Sequence, residues 1–461
     1  MFTANVLALA YLAAATLFIL GLKGLTHPAS ARRGNRYAML GMAVAVLATL
    51  FNPAVKNYGF IIAGLIVGGI IGSVVAMRIK MTAMPQLVAA LHSFVGLAAV
   101  LVAVGTYFMH PRADASLMTE LFVGSFIGAV TFTGSLVAFG KLQALLPSKP
   151  LLFKGRHLLN AALALAMLGF GIDFVWHHHL VSLLASIVMA ASLGVLLVLP
   201  IGGADMPVVV SMLNSYSGWA AAATGFTLGN QLLIITGALV GFSGAILSYI
   251  MSQAMNRSII SIVLGGFGGH EAGEETAVST AAGKGIKSAS VEDAVFIMSN
   301  ASKVVIVPGY GMAVAQAQHA LKELLETLHH KGIEVKFAIH PVAGRMPGHM
   351  NVLLAEADVP YDNVVEMDEI NPEFSSTDVA LVIGANDVTN PAAKSQKSSP
   401  IYGMPILEVN RAKQIFFVKR SMKPGYSGVE NLLFSQDNCA LIFGDAKTVC
   451  EQMATELKAA A

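Results

Sequence analysis

Val304-Val305-Ile306-Val307-Pro308-Gly309-Tyr310-Gly311-Met312-Ala313-Val314 is an apolar strand that runs into Gly-x-Gly-x-x-Val and then a helix. This is the pattern of a dinucleotide cradle. Gly309 permits the tight turn, Gly311 lets the backbone approach a pyrophosphate, and the helix from Met312 points its N-terminal amides and dipole at phosphates. Ala313 and Val314 are bulkier than a third glycine, so strand and helix sit slightly further apart. The alternative is a strand–helix turn without a ligand. The strand before and the helix after favour a nucleotide.

Strand and helix alternate outward from this motif. Strands are expected at 303–308, 333–340, 363–367, 378–384, 405–409, 414–419 and 439–443, and helices at 290–300, 312–330, 347–357 and 446–460. Such alternation implies a soluble α/β Rossmann-like domain over 290–461 with a parallel sheet. Ahead of it, 261–289 is rich in Gly, Ala, Ser and Glu and reads as a linker.

Residues 1–260 differ in kind. The chain of 461 residues is 55% hydrophobic and only 12% charged, too apolar for a soluble protein. Nine segments suit a membrane span of about 20 apolar residues: 4–22, 37–55, 57–77, 86–108, 118–140, 158–177, 179–200, 207–228 and 231–252. Gly64, Gly68, Gly69 and Gly72 would let helices approach closely. The expected fold is thus a multi-pass helical bundle over 1–260 in a lipid bilayer, followed by the α/β domain.

The first 260 residues hold four acids against thirteen Lys or Arg, a balance of +9; the remainder hold 23 against 16, a balance of −7. Nucleic acid is excluded as a partner, because the basic half is the membrane half. Val6 to Leu22 is apolar with no Lys or Arg before it, so it reads as a retained span with its N-terminus outside. Eleven basic residues then fall on inner segments and two, Lys56 and Arg112, on outer ones. That asymmetry places the α/β domain in the cytoplasm. Cys439 and Cys450 read as small buried side chains, giving neither a disulfide framework nor a metal cluster.

An NAD site wants an acid at the end of the second strand for the ribose hydroxyl. That strand ends Phe337-Ala338-Ile339-His340. A later strand instead ends Lys419-Arg420-Ser421, whose two cations and hydroxyl suit a dianionic phosphate. The pair alone could be a solvated strand end; with the acid missing, NADP(H) is favoured. Three further loops look ligand-facing: 341–349, Gly384-Ala385-Asn386-Asp387, and Lys423-Pro424-Gly425-Tyr426-Ser427-Gly428, which could close as a lid.

In the membrane half, His92 lies about one and a half turns inside its helix. It is either a proton relay or a neutral histidine bonded to a neighbouring helix. Asn214, on another helix, is its potential partner or simply interhelical glue. Asp205 lies in the inner loop before that helix. His177-His178-His179 hint at metal, but consecutive side chains fan apart on a helix, and a metal site is rejected.

Several long motifs match one family: 308–318, 340–362, Met367-Asp368-Glu369-Ile370-Asn371, Gly384-Ala385-Asn386-Asp387, Lys419-Arg420-Ser421-Met422, Gly444-Asp445-Ala446-Lys447, Leu91-His92-Ser93-Phe94-Val95-Gly96 and Met255-Asn256-Arg257-Ser258. Through them the chain resembles the β subunits of proton-translocating nicotinamide nucleotide transhydrogenases almost end to end. The resemblance implies an Si/Re-specific NAD(P)+ transhydrogenase of a bacterial-type inner membrane. It implies NADP(H) on this chain, NAD(H) on a partner α subunit, an α2β2 assembly, and direct hydride transfer coupled to inward proton movement. It implies cofactor contacts at Tyr310; at Val342, Ala343, Gly344, Arg345, Met346 and Pro347; at Gly384, Ala385, Asn386, Asp387 and Val388; at Gly403 and Met404; at Lys419, Arg420, Ser421, Met422, Lys423, Pro424, Gly425 and Tyr426; and at Asp445 with Ala446. Lys419, Arg420 and Ser421 would hold the 2′-phosphate. His92, Asn214 and Asp205 fall on the family's proton-translocation residues. The linker 265–289 carries no matching motif.

A cation transporter or channel regulated by a nucleotide-sensing domain is the rival class, but no Thr-Val-Gly-Tyr-Gly-type filter appears. A membrane-anchored reductase leaves nine helices unexplained.

Overall fold

The computed structural model describes residues 4–25, 28–53, 55, 57–147, 150–263, 286–399, 401–423, 425 and 427–459. The expected linker lies mostly at 264–285, outside those residues. Two compact units form. One comprises Met1–Gln143, Leu152–Leu199 and Met212–Ile246; the other comprises Ala144–Leu151, Pro200–Ser211 and Leu247–Ala461.

Nine long helices occur among the described residues: α1 (Ala4–Leu25), α2 (Pro28–Leu50), α3 (Tyr58–Arg78), α4 (Met84–Met109), α5 (Ala115–Leu142), α6 (Arg156–His177), α7 (Leu180–Val198), α8 (Met206–Thr227) and α9 (Gln231–Ala254). Seven are long and apolar enough to cross a membrane; α2 and α8 fall short. α2 begins well before the expected residue 37, so Arg32, Arg33 and Arg36 ride on its first turns. α8 carries Ser211, Asn214, Ser215 and Ser217.

The glycines that bring helices together are not the expected ones. Gly64, Gly68, Gly69 and Gly72 on α3 have no described atom within 4 Å of an added Cβ. The close approaches occur instead at α4–α5, where a Cβ on Gly96 would lie 2.5 Å from the Gly128 carbonyl, and at α8–α9, through Gly218 and Gly237. α1–α2, through Gly24 and Gly34, and α5–α7, through Gly194 and the Val130 carbonyl, approach as closely, so backbones touch at several helix pairs where lipid gives no hydrophobic drive.

The other unit is built on a seven-stranded parallel sheet. Its strands are β1 (Lys287–Ser288), β2 (Lys303–Pro308), β3 (Glu334–Ile339), β4 (Val364–Glu366), β5 (Val379–Ile383), β6 (Gln414–Lys419) and β7 (Cys439–Phe443), in the order β1-β7-β6-β5-β2-β3-β4. β2 is apolar over 304–308 because both its faces are covered there. Val304 and Ile306 enter a core with Leu321, Leu324, Leu328, Met350 and Leu457, while Val305 and Val307 enter another with Phe374, Phe417 and Phe434. The first core is roofed by α11 (Val291–Ser299), α12 (Tyr310–Ala315), α13 (Gln318–His330), α14 (His349–Glu356) and α17 (Ala446–Ala459); α10 (Ile259–Val263), α15 (Met367–Ile370) and α16 (Ala392–Ser395) are short. Both cysteines are buried, and burial pushes their thiols up to about 12.

Three details differ from expectation. Residues 405–409 form no strand. Their apolar side chains are buried, but the Asn371 side chain takes the place of a ladder partner, donating to the Ile406 carbonyl (3.0 Å) and accepting from the Glu408 amide (3.0 Å). The single helix expected at 312–330 begins at Tyr310 and breaks at Gln316, whose φ is +54°. β1 falls inside the expected linker and pairs with β7.

Candidate functional site

β2 lies between β3 and β5, and the chain winds away from that boundary in both directions. Ligands of open parallel sheets bind outside the carboxyl ends of strands at such a switch point. The Gly309 amide donates to the Ile383 carbonyl (2.9 Å), the Gly311 amide to the Gly384 carbonyl (2.9 Å), and the Met312 amide to the Gly309 carbonyl (3.0 Å). A Cβ on Gly311 would meet Gly384 Cα at 2.6 Å, and one on Gly309 would meet Ala385 at 2.5 Å. The expected phosphate-facing amides are therefore already paired, and the room these glycines make is filled by the loop after β5. Met312 and Ala313 are buried in the core, and only Val314 is well exposed.

Gly384 closes the arrangement. Its φ is +69°, and a Cβ there would lie 2.2 Å from the Met312 nitrogen. Gly332 has a similar φ of +77° with nothing within 4 Å. Gly332→Ala should cost about 1 kcal/mol, the left-handed penalty alone. Gly384→Ala should cost about 3 kcal/mol or more, because backbone must also shift. Thermal unfolding of the two full-length variants compares them; equal losses would mean that the two loops are not in close contact.

Asp387 ties this loop to the expected lid. Its carboxylate accepts from the Ser427 hydroxyl (2.7 Å), the Ser427 amide (3.0 Å) and Asn386 Nδ2 (3.0 Å). Gly425 stands close by, where a Cβ would lie 2.8 Å from Asp387 Oδ1. Pro424 and Tyr426 lie outside the described residues. Val388 is half-buried, and its carbonyl accepts from the Leu407 amide (2.9 Å).

One strand over, β6 delivers Lys419. Its ammonium donates to the Lys423 carbonyl (3.1 Å) and lies 4.6 Å from the Phe434 ring centroid. Burial lowers its pKa, and Asp387 opposes that shift. Arg420, Ser421, Met422 and Lys423 are exposed. Asp445 lies beyond the adjacent strand end, where the Gly444 amide donates to the Lys419 carbonyl (3.0 Å); its own carboxylate accepts from the Lys447 amide (3.0 Å) as a helix cap, with Ala446 buried behind it.

The loop after β3 brings Arg345 over the Tyr310 ring, 4.3 Å from its centroid. His349 lies beneath, its Nδ1 accepting from the Arg345 amide (3.1 Å) and its Nε2 buried without a hydrogen-bond partner. Gly344 (φ +106°) is needed there, since a Cβ would lie 2.6 Å from His349 Cβ. Burial, aided by the Arg345 charge, pushes His349 down to about 4. Burial does the same to His340, whose Nε2 bonds the Pro405 carbonyl (2.9 Å) and whose Nδ1 accepts from the Val342 amide (3.2 Å). Val342 and Pro347 are half-buried; Ala343 and Met346 are buried. Gly403 adopts φ +78°, and Met404 packs into a small core with Ala392, Ala393, Ile401 and Ile406.

In the helical unit, His92 is buried on α4 and its Nε2 lies 3.2 Å from Asn214 Oδ1 on α8; His92 Nδ1 is buried without a hydrogen-bond partner among the described residues. The two residues singled out in the sequence thus meet. Asp205 belongs to the other unit, where one Arg257 nitrogen reaches both its carboxylate oxygens at 2.8 Å. Burial raises the Asp205 pKa and Arg257 pulls it back.

The three histidines do not fan apart along a helix. His177 ends α6, His178 has φ +57°, and His179 precedes α7. His177 and His179 consequently stack, with both Nδ1 atoms facing Asp173 at 2.9 and 3.6 Å. Among the described residues no three metal-ligating groups converge.

Sequence reasoning placed Ser427 and His349 in ligand-facing loops without giving either a role, and passed over Asn390 and Asn431. The last two are buried amides that bind the loop after β5 to the 430–433 segment: Asn390 donates to the Glu430 carbonyl (3.0 Å) and Asn431 to the Asn386 carbonyl (3.1 Å). A polar Asn in a run otherwise headed for the core was the available signal.

The comparisons with known proteins agree with one another. A family profile described as NAD(P) transhydrogenase beta subunit matches residues 7–456. An NAD(P) transhydrogenase subunit beta from Rhodospirillum rubrum is 57% identical over 453 residues, covering 96% of this chain and 97% of the relative. The protein of that name from a designated strain of the same species matches identically.

Proposed function

The chain belongs to the NAD(P) transhydrogenase beta subunit family, and from that premise we propose that it holds NADP(H) at the switch point of its sheet and couples hydride exchange with a partner α subunit to proton movement across the membrane. As a transhydrogenase β subunit it is a membrane protein and part of an enzyme. In our reading residues 1–260 carry the proton path and 290–461 the cofactor, joined by 261–289. The N-terminus lies outside, the cofactor domain is cytoplasmic, and two copies assemble with two α subunits.

The observation that carries this reading is the set of loops at the carboxyl ends of β2, β3, β5 and β6. It places the Lys419 ammonium, the exposed Arg420 guanidinium and the Ser421 hydroxyl at one strand end. That donor set fits a dianionic phosphate. With no acid at the end of β3, it favours NADP(H) over NAD(H). Arg345 supplies a further cation over Tyr310.

The nicotinamide supplies the redox chemistry, with hydride passing directly to or from NAD(H) on the partner. This chain's residues bind, orient and gate. The loop glycines fix the distance between the β2 and β5 loops, and Asp387 pins residue 427 against them. The His92–Asn214 pair gives a protonatable group inside the bundle. A proton crossing 100 mV supplies about 2.3 kcal/mol, and about 1.4 kcal/mol already shifts an equilibrium tenfold. Inward proton flow is thereby enough to drive NADP+ reduction by NADH.

The test mixes membranes holding this chain and its α partner with NADPH and an NAD analogue. Direct reduction of the analogue is expected, and it should vanish without the partner. Reduction that persists without the partner would overturn the reading.

A further inference from the structure

The end of α9 is a Schellman turn: the Arg257 amide donates to the Ser252 carbonyl (2.9 Å), the Asn256 amide to the Gln253 carbonyl (2.9 Å), and Asn256 sits at φ +49°. Glycine is the residue this left-handed position prefers. An asparagine there carries a left-handed cost that glycine would not, so its side chain needs a reason. Asn256 Nδ2 donates to the Tyr402 carbonyl at 2.9 Å. The next residue, Gly403, is the one that makes room: a Cβ on it would lie 2.2 Å from Asn256 Nδ2. Asparagine stands where glycine is cheaper, and glycine stands where the asparagine amide needs space.

The turn so gripped is not an idle loop. The Gly403 amide donates to the Ala393 carbonyl (2.7 Å), the Pro405 carbonyl accepts from His340 at the end of β3, and the Leu407 amide donates to the Val388 carbonyl beyond β5 (2.9 Å). A displacement of the Tyr402 carbonyl therefore reaches the ends of two strands at the candidate nucleotide site. On the other side of the same turn, the adjacent Arg257 holds Asp205, one residue ahead of α8, and α8 is the helix that carries Asn214.

We propose that Asn256 is a positioning residue for coupling: its amide latches the end of α9 to the 402–403 turn, giving the membrane helices a direct hold on the cofactor loops that does not run through the 264–285 segment. The inference rests on the proposed transhydrogenase reading. Asn256 is not among the residues proposed to hold the nucleotide or to carry the proton, so hydride exchange itself does not require it.

The test uses the full chain with its α partner in sealed vesicles. NADPH-to-NAD-analogue exchange is measured with a proton gradient and with a protonophore. Asn256→Gly keeps the left-handed turn and removes the amide; Asn256→Asp keeps the size and sets a carboxylate against a carbonyl. In both, kcat and KM without a gradient should stay near wild type. The ratio of rates with and without the gradient should move toward one by about threefold to tenfold, the worth of one neutral hydrogen bond. A merely structural residue would lower both rates together and leave that ratio unchanged. Wild-type gradient response in both variants overturns the latch. A wild-type protein with no gradient response overturns the underlying reading instead.

Discussion

Replacing Lys419 and Arg420 together by Ala should strip the chain of its preference for NADP(H) over NAD(H). A charge-assisted hydrogen bond contributes roughly 1.5–3 kcal/mol, and screening at an exposed strand end reduces it. The ratio of the two affinities should therefore fall by about a hundredfold. Lys419 also covers Phe434 and holds the Lys423 carbonyl, so the double variant loses packing as well as charge. Two single variants separate these effects. Arg420→Ala removes an exposed guanidinium and should lower the ratio about tenfold. Lys419→Met keeps the apolar stem over the ring. Calorimetric titration of the full chain with NADPH and NADH reads the ratio directly. Unchanged selectivity in the double variant would remove the 2′-phosphate from this strand end.

His92→Ala should reduce coupled proton movement by about a hundredfold or more, since a positioned proton donor and acceptor typically contributes that much to the steps it serves. The reasoning is local. His92 is buried on α4, its Nε2 meets Asn214 across to α8, and its Nδ1 has no hydrogen-bond partner among the described residues. A buried ring with one nitrogen bonded and one open can pass a proton, whereas a purely structural histidine would have both satisfied. NADPH binding by the α/β domain should survive within severalfold. Asn214→Leu, which leaves His92 in place without its partner, should give an intermediate loss. Coupled proton flux at the wild-type level in His92→Ala vesicles would refute the relay.

Much of this was legible in the residues because period and composition act locally. β2 was readable because its residues 304–308 are buried on both faces and therefore apolar. Seven of the nine long helices were readable because lipid demands uninterrupted apolar length. What failed was what depends on distant partners. Ile406, Leu407 and Val409 are as buried as strand residues, but Asn371, more than thirty residues earlier in sequence, replaces their ladder. The glycines of α3 looked like a packing face, yet glycines on other helices, such as Gly96 on α4 and Gly128 on α5, make the close contacts. The motif glycines make a contact that the motif does not announce. Gly309 and Gly311 face the Gly384–Ala385 backbone, a contact set by strand order and invisible in the motif itself. The histidine run was read as fanning apart along a helix, although a left-handed residue in its middle folds the outer two rings onto each other. His92 and Asn214 were paired from the sequence because few polar groups enter an apolar bundle, which leaves few partners to choose from.

The central claim is that nucleotide exchange on the α/β domain and proton movement through the bundle are one process. Sealed vesicles with the cytoplasmic face outward, containing this chain and its α partner, test it most directly when a pH-sensitive dye is trapped inside. NADPH plus an NAD analogue should acidify the lumen as the analogue is reduced, and a protonophore should abolish the acidification while reduction continues. Reduction at the same rate in tight vesicles with no change in lumenal pH would contradict the account.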